Sequence, residues 1–448
     1  MRDTLRELFD GSEESIRDGV WGDIPASEAM RALLDTESFQ RLRGVQQLGF
    51  TSYTFPGAHH TRFEHSIGVY HLTRLAVRRL VDSGAYLTDE EVRAVLAAVL
   101  LHDVGHYPFS HAVEELAVPE VIPHEELSQR VVNGGEVSEV LRERWGLTPE
   151  RVSRLIARTP PEGLEPTEQL LRDLLSGSLD VDKLDYLVRD ARYTGVPYGM
   201  VDVERLIQSL RVVSPGGGPD GVETAAVLAI DESGIGALQS LVFARYLMFY
   251  NVYWHHTNRT LTVMFLRAVQ DALSKERLTP EDLSMKTDAE LIESLLHASE
   301  PEDSTNTLVR RIKSRQLYRR AVELDDRHPA FHHLTRLKED AARRRRVEEA
   351  WVAHLTRHHG ADADPADILI DLPENKQFTV EMRVIRRHPL PGEQNPVTWS
   401  EVSGLGADDM ARYHARIRRV RIVAADDTLA RAIGEHAEDL FAITEEVG

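Results

Sequence analysis

Residues 88–111 read Thr-Asp-Glu-Glu-Val-Arg-Ala-Val-Leu-Ala-Ala-Val-Leu-Leu-His-Asp-Val-Gly-His-Tyr-Pro-Phe-Ser-His, and this stretch decides the fold. Thr88 and Glu91 have the spacing of a capping box, which starts a helix. The run that follows is apolar on nearly every face, as is typical of a helix buried at the centre of a domain. A glycine and a proline soon after it end the helix. The sequence therefore predicts a central buried helix with His102 and Asp103 at its carboxyl end.

Two further segments have the apolar spacing of helices. Residues 66–82 place apolar side chains at helical intervals, which predicts a helix with one buried face. Residues 236–273 form a longer apolar and aromatic stretch, which predicts a long, bent helix. Together with the central segment, they predict that residues 1–330 form one helical bundle.

The texture of the sequence changes after about residue 330. Three later segments are rich in alternating β-branched residues, which predicts strands: residues 367–371, 378–385 and 415–423. Residues 427–445 are predicted to form a closing helix. A chain of 448 residues exceeds the usual size of one hydrophobic core. We therefore expect a mainly α protein with a helical domain, 1–330, and a small C-terminal α/β appendage, 331–448.

The composition limits the classes of function and location. The chain has no cysteine, which excludes disulfides, thiolate metal sites and cysteine nucleophiles. Its formal net charge is −20, so nucleic acid is an unlikely partner, because duplex phosphates require a basic surface. No apolar run is long enough to span a membrane, and the first residues lack the apolar core of a signal peptide. We expect a soluble, cytoplasmic protein with no membrane association.

Two imidazoles and two carboxylates are candidate ligands for a divalent metal ion: His65, His102, Asp103 and Asp182. Nitrogen and oxygen ligands of this kind suit a hydrolytic ion and leave positions for water and a phosphate oxygen. Taken singly, each residue has a simpler interpretation, because a lone histidine is often a packed core residue and an aspartate often caps a helix. Taken together, they predict metal-dependent hydrolysis of a phosphate ester.

A second pair of residues predicts proton transfer. His111 and Glu114 are three positions apart, so on a helix they share a face and can form an imidazole–carboxylate pair. A carboxylate holds the imidazole in one orientation and raises its basicity, as proton transfer to a leaving oxygen requires.

Three motifs carry a resemblance to a known family. They are Thr-Arg-Phe-Glu-His-Ser-Ile-Gly at 61–68, His-Asp-Val-Gly-His-Tyr-Pro-Phe-Ser-His at 102–111, and Asp-Val-Asp-Lys-Leu-Asp-Tyr at 180–186. In this order they resemble the HD-domain phosphohydrolases, and within them the deoxynucleoside triphosphate (dNTP) triphosphohydrolases. The resemblance covers about residues 15–325. It implies an HD-domain helical bundle that cleaves dNTPs at the α-phosphorus and releases deoxynucleoside and intact triphosphate.

The resemblance also assigns roles to individual residues. It adds His124 and His106 to the catalytic histidine group. It assigns eight residues to substrate binding: Gln47, Leu48, Arg62, Lys183, Tyr186, Asp190, Arg245 and Tyr253. Among these, the arginine and lysine residues would contact the phosphates. Tyr186 and Asp190 would contact the sugar 3′-hydroxyl, and the residues at 47–48 would line the deoxyribose. Phe249 departs from relatives that often have histidine there.

A regulatory site is implied by the same resemblance. In the regulated members of the family, some residues bind a guanine base and others bind the activator's triphosphate from a neighbouring subunit. Five residues of this chain match those positions: Asp35, Gln40, Arg43, Arg315 and Arg319. This implies a dGTP or GTP activator and a homo-oligomer, a dimer or a tetramer. Two features depart from regulated relatives, namely the residues at 228–234 and Trp21. The other interpretation is that 35–43 is an ordinary amphipathic helix.

Three hypotheses follow from the sequence. The first is a dNTP triphosphohydrolase that uses Mn²⁺, Mg²⁺ or Fe²⁺, since all three ions fit the same ligands. The second is another HD-domain phosphohydrolase, acting on cyclic dinucleotides, nucleoside monophosphates or single-stranded nucleic acid. The third is a nucleotide sensor that binds without turnover.

Overall fold

The structure is a computed structural model that describes residues 14–116, 118–213, 226–374 and 380–447. Helices dominate it, which confirms the predicted mainly α fold. The α-helices of the described residues are, in chain order, α1 Glu28–Leu34, α2 Glu37–Gln40, α3 Arg62–Asp82, α4 Asp89–Leu101, α5 His111–Glu114, α6 His124–Val132, α7 Gly135–Arg144, α8 Pro149–Ile156, α9 Pro166–Ser176, α10 Val181–Thr194, α11 Val203–Ser209, α12 Ile235–Met248, α13 His256–Ser274, α14 Asp288–His297, α15 Ser304–Lys313, α16 Pro329–Thr335, α17 Ala341–His359, α18 Trp399–Ser403, α19 Ala407–Ile417, α20 Asp427–Glu435 and α21 Ala437–Val447.

The strands are short and lie in three separate sheets. They are β1 Ser15–Asp18, β2 Gly22–Pro25, β3 Leu210–Val213, β4 Val227–Asp231, β5 Arg319–Leu324, β6 Ile368–Asp371, β7 Arg383–Ile385, β8 Val397–Thr398 and β9 Val420–Ala424. β1 and β2 form an antiparallel pair, and β3, β4, β7 and β8 form a mixed sheet in that order. β9 lies between β5 and β6 in an antiparallel sheet.

The central helix α4 has the predicted position and cap. The Thr88 hydroxyl accepts a hydrogen bond from the Glu91 backbone N–H at 3.2 Å, and the Glu91 carboxylate accepts one from the Thr88 N–H at 2.7 Å. From residue 94 to residue 101 every side chain of α4 is buried. The helix packs against α3, α8 and α9, so its carboxyl end opens at the centre of the bundle.

Three neighbouring helices bring the candidate ligands together. α3 includes the predicted helical segment 66–82 and begins four residues earlier. It packs between α4 and α10. His65 lies in the first turn of α3, His102 caps the end of α4, and Asp182 lies in the first turn of α10. Helix packing therefore brings residues 117 positions apart in the sequence into one group.

The predicted single helix 236–273 is two helices, which corrects that expectation. α12 continues into a π-helical turn, Phe249–Tyr253, and α13 begins after His255. His255 is extended and caps α13, while the Asn258 side chain donates a hydrogen bond to the Val252 carbonyl at 2.9 Å. These side chains satisfy backbone groups that a continuous helix would have paired internally.

The C-terminal predictions are correct in part. β6 confirms the strand predicted at 367–371. Of the segment 378–385, the first two positions lie outside the described residues, and the strand β7 is only its last three. The strand predicted at 415–423 is wrong at its start, because helix α19 extends to Ile417. Met410 and Ile417 are seven apart and both buried, so this region buries a helical face. The closing helix is interrupted at His436.

The division near residue 330 stays a prediction. Two of the sheets contain strands from both sides of it, since β5 pairs with β9 and β4 pairs with β7. Among the described residues, no helix is both long enough and apolar enough to cross a membrane.

Candidate active site

The structure places the four predicted metal ligands, His65, His102, Asp103 and Asp182, close together, and we call them the ligand group. The Nε2 atom of His65 lies 3.0 Å from Asp182 Oδ1 and 3.7 Å from Asp103 Oδ2. The Nε2 atom of His102 lies 3.5 Å from Asp103 Oδ1 and 3.8 Å from Asp182 Oδ1. Two imidazole nitrogens thus face two carboxylates around one point. Atoms at these separations could ligate a single divalent ion.

The hydrogen bonding of this group fits a bound cation. The Nε2 atoms of His65 and His102 are buried and, within the described part of the chain, make no hydrogen bond of acceptable geometry. Burial lowers the pKa of His65, but the carboxylates of Asp182 and Asp185 outweigh it and raise the pKa to about 10. Without an ion, the carboxylates hold protons on the imidazoles. A cation binding there would replace those protons.

A buried series of charged side chains orients His65 through its Nδ1 atom, on the side of the ring opposite the ligand nitrogen. Its Nδ1 atom lies 2.8 Å from Asp185 Oδ2, which also accepts a hydrogen bond from Arg189 Nε at 2.8 Å. Arg189 donates in turn to Asp18 at 2.8 Å, and the Trp21 indole N–H donates to Asp185. Such outer contacts fix the imidazole so that its other nitrogen faces the ion.

No role is predictable from the sequence for Asp185, Arg189 or Asp18. The sequence does contain an aspartate and an arginine four positions apart, and the structure buries both of them on α10. Helical spacing alone does not distinguish such a buried pair from an exposed one.

Gly68 makes room for this buried series of charged side chains. A Cβ atom at position 68 would lie 1.9 Å from Asp185 Oδ1 and 2.4 Å from Arg189 Nη2. We expect Gly68→Ala to lower the free energy of unfolding by about 3–5 kcal/mol, because it would force apart a buried ion pair. Urea denaturation would measure the change. Gly236→Ala is the matched control, since a Cβ there meets nothing within 4 Å. Equal stability of the two variants would contradict this reading of Gly68.

A second group of histidines surrounds Glu114. His111 Nδ1 lies 2.9 Å from Glu114 Oε2, and His124 Nδ1 lies 2.8 Å from Glu114 Oε1. The ring of His106 stacks on that of His124, with centroids 4.0 Å apart. The structure thus brings together the four residues predicted to be catalytic. His111 is the exposed member, with 57% of its side chain accessible.

The charges in this group differ from residue to residue. Burial raises the pKa of Glu114, but hydrogen bonds from His111 and His124 outweigh it and hold the pKa well below its usual range. Burial lowers the pKa of His124, and Glu114 more than reverses this, so the net shift is upward. For His106, burial followed by Arg62 and His124 keeps the pKa well below its usual range. The group therefore combines a carboxylate, an imidazole whose charged form the carboxylate favours, and a third imidazole whose neutral form is favoured.

A cavity of about 350 Å³ opens against Asp182 and His111. Its lining includes all eight residues predicted to bind substrate: Gln47, Leu48, Arg62, Lys183, Tyr186, Asp190, Arg245 and Tyr253. Phe249 also lines it, where regulated relatives often have histidine. The cavity thus combines four cationic side chains, Arg62, Lys183, Arg245 and Arg259, with an apolar and aromatic wall.

Several of these residues already have partners within the chain. Arg62 pairs with Asp103 and donates to Ser110 Oγ at 3.1 Å. Lys183 pairs with Asp180. Asp190 accepts a hydrogen bond from the Tyr253 hydroxyl at 2.7 Å. Its other oxygen lies 2.8 Å from His60 Nε2, in a contact that the sequence analysis did not anticipate.

The backbone just before His111 is strained. Phe109 and Ser110 have φ values of 56° and 54°, a left-handed region that costs non-glycine residues energy. Asp288, at the start of α14, holds this segment by accepting a hydrogen bond from the Phe109 N–H at 2.7 Å. Its other oxygen accepts one from the Gln46 N–H at 3.1 Å. One buried carboxylate thus supports two walls of the cavity.

The support from Asp288 predicts a pH dependence of stability. Burial raises the pKa of Asp288 to about 6 against the opposing effects of the two N–H donors, Arg62 and Arg41. The folded state therefore binds this proton more strongly than the unfolded state, and we expect about 3 kcal/mol of stability to be lost as the pH rises from about 4 to above 6. Asp288→Asn should lack this component. Urea unfolding of both proteins across this range would measure it, and parallel curves would contradict the assignment.

The five residues predicted to bind an activator lie in two groups. Arg43 Nε donates to Gln40 Oε1 at 2.8 Å, and its guanidinium lies 3.5 Å from the Phe63 ring centroid. Asp35 caps α1 nearby in the sequence. Arg315 and Arg319 line a separate cavity of about 670 Å³. Among the described contacts, none joins the two groups within one chain.

Comparisons with known proteins agree with the motifs. A family model described as the HD domain matches residues 62–190, and one described as the HD associated region matches residues 201–445. The uncharacterized protein YwfO of Bacillus subtilis is 35% identical over 308 residues, which are 64% of this chain and 66% of YwfO. The deoxynucleoside triphosphate triphosphohydrolase SAMHD1 homolog of Dictyostelium discoideum is 30% identical over 328 residues, 70% of this chain and 61% of that protein.

A solved structure confirms the fold. The crystal structure of a hypothetical protein from Aquifex aeolicus has a TM-score of 0.66 at 27% identity and covers 95% of this chain and 99% of that chain. The curated relatives are matched over less than two thirds of their own lengths. The region matched by the HD domain contains all four candidate metal ligands. The chain belongs to the HD-domain phosphohydrolase family, with an HD-associated region after its HD domain.

Proposed function

We propose that this protein is a metal-dependent dNTP triphosphohydrolase that cleaves dNTPs to deoxynucleoside and inorganic triphosphate. One observation carries the proposal: a single cavity is lined by Asp182 of the ligand group, by His111 and by all eight predicted substrate residues. The names of the SAMHD1 relatives support the same choice of substrate. A cytoplasmic location is part of the proposal.

The ligand group and His111 have separate tasks in this reaction. An ion held by the four ligands would polarise the α-phosphate and lower the pKa of a water molecule, and Mn²⁺, Mg²⁺ and Fe²⁺ all suit the ligands. Water supplies the hydroxyl that joins the α-phosphorus and releases its other proton to the solvent, and the bond from this phosphorus to the 5′-oxygen breaks. His111 donates a proton to the leaving 5′-oxygen. Its Nδ1 is held by Glu114 at 2.9 Å, which leaves Nε2 for the substrate.

The neighbouring histidines support the same proton transfer. His124 shares Glu114 with His111, and Glu114 raises the pKa of His124, which favours its charged form. In that form it would face the α-phosphate. His106 stays neutral against the His124 ring, since its pKa is well below the usual range. It can accept a hydrogen bond from the substrate or a water molecule without adding charge.

Different walls of the cavity would bind different parts of the substrate. Arg62, Lys183 and Arg245 would bind the phosphates. Substrate phosphates would replace Asp103 as the partner of Arg62 and Asp180 as the partner of Lys183. Asp190 and Tyr186 would bind the 3′-hydroxyl. Gln47 and Leu48 would close against the 2′ position, where a ribose hydroxyl lacks room.

Product analysis tests the reaction class. Purified protein would be incubated with each dNTP and Mn²⁺ or Mg²⁺, and the products resolved by anion-exchange chromatography. The expected products are deoxynucleoside and inorganic triphosphate, and the matching NTPs should react much more slowly. Orthophosphate or monophosphate products would favour another HD-domain phosphohydrolase. Binding of a dNTP with no turnover would favour a nucleotide sensor.

Activation by dGTP or GTP within a homo-oligomer, a dimer or a tetramer, is the second part of the proposal. Arg315 and Arg319 line a basic cavity whose lining does not include Gln40 or Arg43, and in the proposed site a neighbouring subunit would bring the two groups together. A dGTP titration of dCTP hydrolysis should give a sigmoidal rise, accompanied by a larger mass in light scattering. Strictly hyperbolic, additive kinetics would contradict this part and leave the reaction class untouched.

A further inference from the structure

Helix α17 ends in a group of histidines outside the active site. His354 and His359 lie in its last two turns, His436 lies between α20 and α21, and Asp439 lies in the first turn of α21. One ligand atom each of His354, His359 and Asp439 lie within 4.8 Å of one another. Among the described residues that line the active-site cavity, none belongs to α17, α20 or α21. The group is therefore separate from the candidate active site.

His354 is the member that ordinary helix electrostatics leaves unexplained. His359 lies near the carboxyl end of α17 and Asp439 near the amino end of α21, where the helix dipoles favour these side chains. The His354 Nε2 atom is buried further inside and has no hydrogen-bond partner among the described residues. A buried polar atom without a partner destabilises the folded state. Its position beside two other ligand atoms points to a ligand that satisfies all three.

The imidazole rings of this group pack against one another. The rings of His359 and His436 stack with centroids 3.5 Å apart, and the centroid of His354 lies 5.5 Å from that of His359. Imidazole nitrogens from two helix ends therefore lie close together, as an imidazole-rich metal site requires.

We propose that His354, His359 and Asp439 bind a second divalent metal ion, beside which the His436 ring packs against His359. Imidazole-rich sites with one carboxylate suit Zn²⁺ or Ni²⁺, whereas Mg²⁺ prefers oxygen ligands. The ion would join the end of α17 to the last helix of the chain and stabilise the C-terminal region. This proposal is independent of the reaction at the active site.

Metal counting tests the proposal directly. Full-length protein without a histidine tag would be stripped with chelator, equilibrated with Zn²⁺, desalted and analysed by mass spectrometry of the metal. We expect two Zn²⁺ per chain in the parent protein and one fewer in the double variant His354→Ala/His359→Ala. The same loss of one ion should appear in an Asp182→Asn background. Zn²⁺ should raise the Tm of that background protein and leave the Tm of the combined variant unchanged.

Two further variants separate a built site from weak surface binding. His297→Ala/His332→Ala removes two histidines outside the group and should keep the full zinc content. Asp439→Asn changes an exposed residue that cannot collapse the core, and it should weaken Zn²⁺ binding by about 10–100-fold or more. Unchanged zinc content in the His354→Ala/His359→Ala variant, or an equal loss in the control, would overturn the proposal.

Discussion

Asp182→Asn is expected to abolish metal binding at the active site and to lower kcat by roughly 1000-fold or more, since metal-ion catalysis contributes several kcal/mol. Asp182, like Asp103, lies near both ligand histidines, and its Oδ1 atom is 3.0 Å from His65 Nε2 and 3.8 Å from His102 Nε2. An amide at this position is uncharged and a weaker ligand. The ligand group would then offer two imidazoles and one carboxylate, one anionic ligand fewer than in the parent protein.

The loss of the ion is measurable without turnover. Added Mn²⁺ at 100 times its Kd should stabilise the parent protein by about 2.7 kcal/mol, and Asp182→Asn should show no such gain in thermal unfolding. Asp408→Asn is the matched control, because Asp408 is also a first-turn aspartate but is exposed on α19. If Asp182→Asn keeps the stabilisation by Mn²⁺, the ion binds elsewhere and the ligand group is wrong.

The sequence predicts the parts of this site that lie on one helix or at one helix end. Thr88 and Glu91 cap α4 as their spacing predicts, and α4 then ends at the His102–Asp103 pair. The spacing of three between His111 and Glu114 is enough to bring them within 2.9 Å. Local periodicity carries this information, because residues three or four apart on a helix are neighbours.

Contacts between distant segments escape such reasoning. Asp288 supports Phe109 and Gln46 from helix α14, and its sequence context reads as an ordinary first-turn acidic residue. The same holds for Asp18, which reaches Arg189 from the β1 strand. The wrong strand start at 415 has a similar cause, because alternating Arg and Ile residues fit a strand, while burial of Met410 and Ile417 selects a helix. Tertiary packing decides these cases.

Glu114→Gln is expected to lower kcat by about 10²–10⁴-fold while the metal content and KM stay close to those of the parent protein. The Glu114 carboxylate accepts hydrogen bonds from His111 and His124 and from the His124 backbone N–H at 3.0 Å. A glutamine offers one oxygen in place of two, and its NH₂ group would face an imidazole N–H. At least one of the two histidines would therefore lose its orientation.

The pH profile distinguishes loss of a proton donor from general damage to the site. Glu114 raises the pKa of His124, so its removal should move the pH at which His124 loses its proton downward. The alkaline limb of the kcat profile should then shift to lower pH in Glu114→Gln. Glu120→Gln, outside both histidine groups, is the control for a glutamate change in the same loop region. A variant with normal kcat, or one that loses its metal ion together with its activity, would show that Glu114 does not serve proton transfer through His111 and His124.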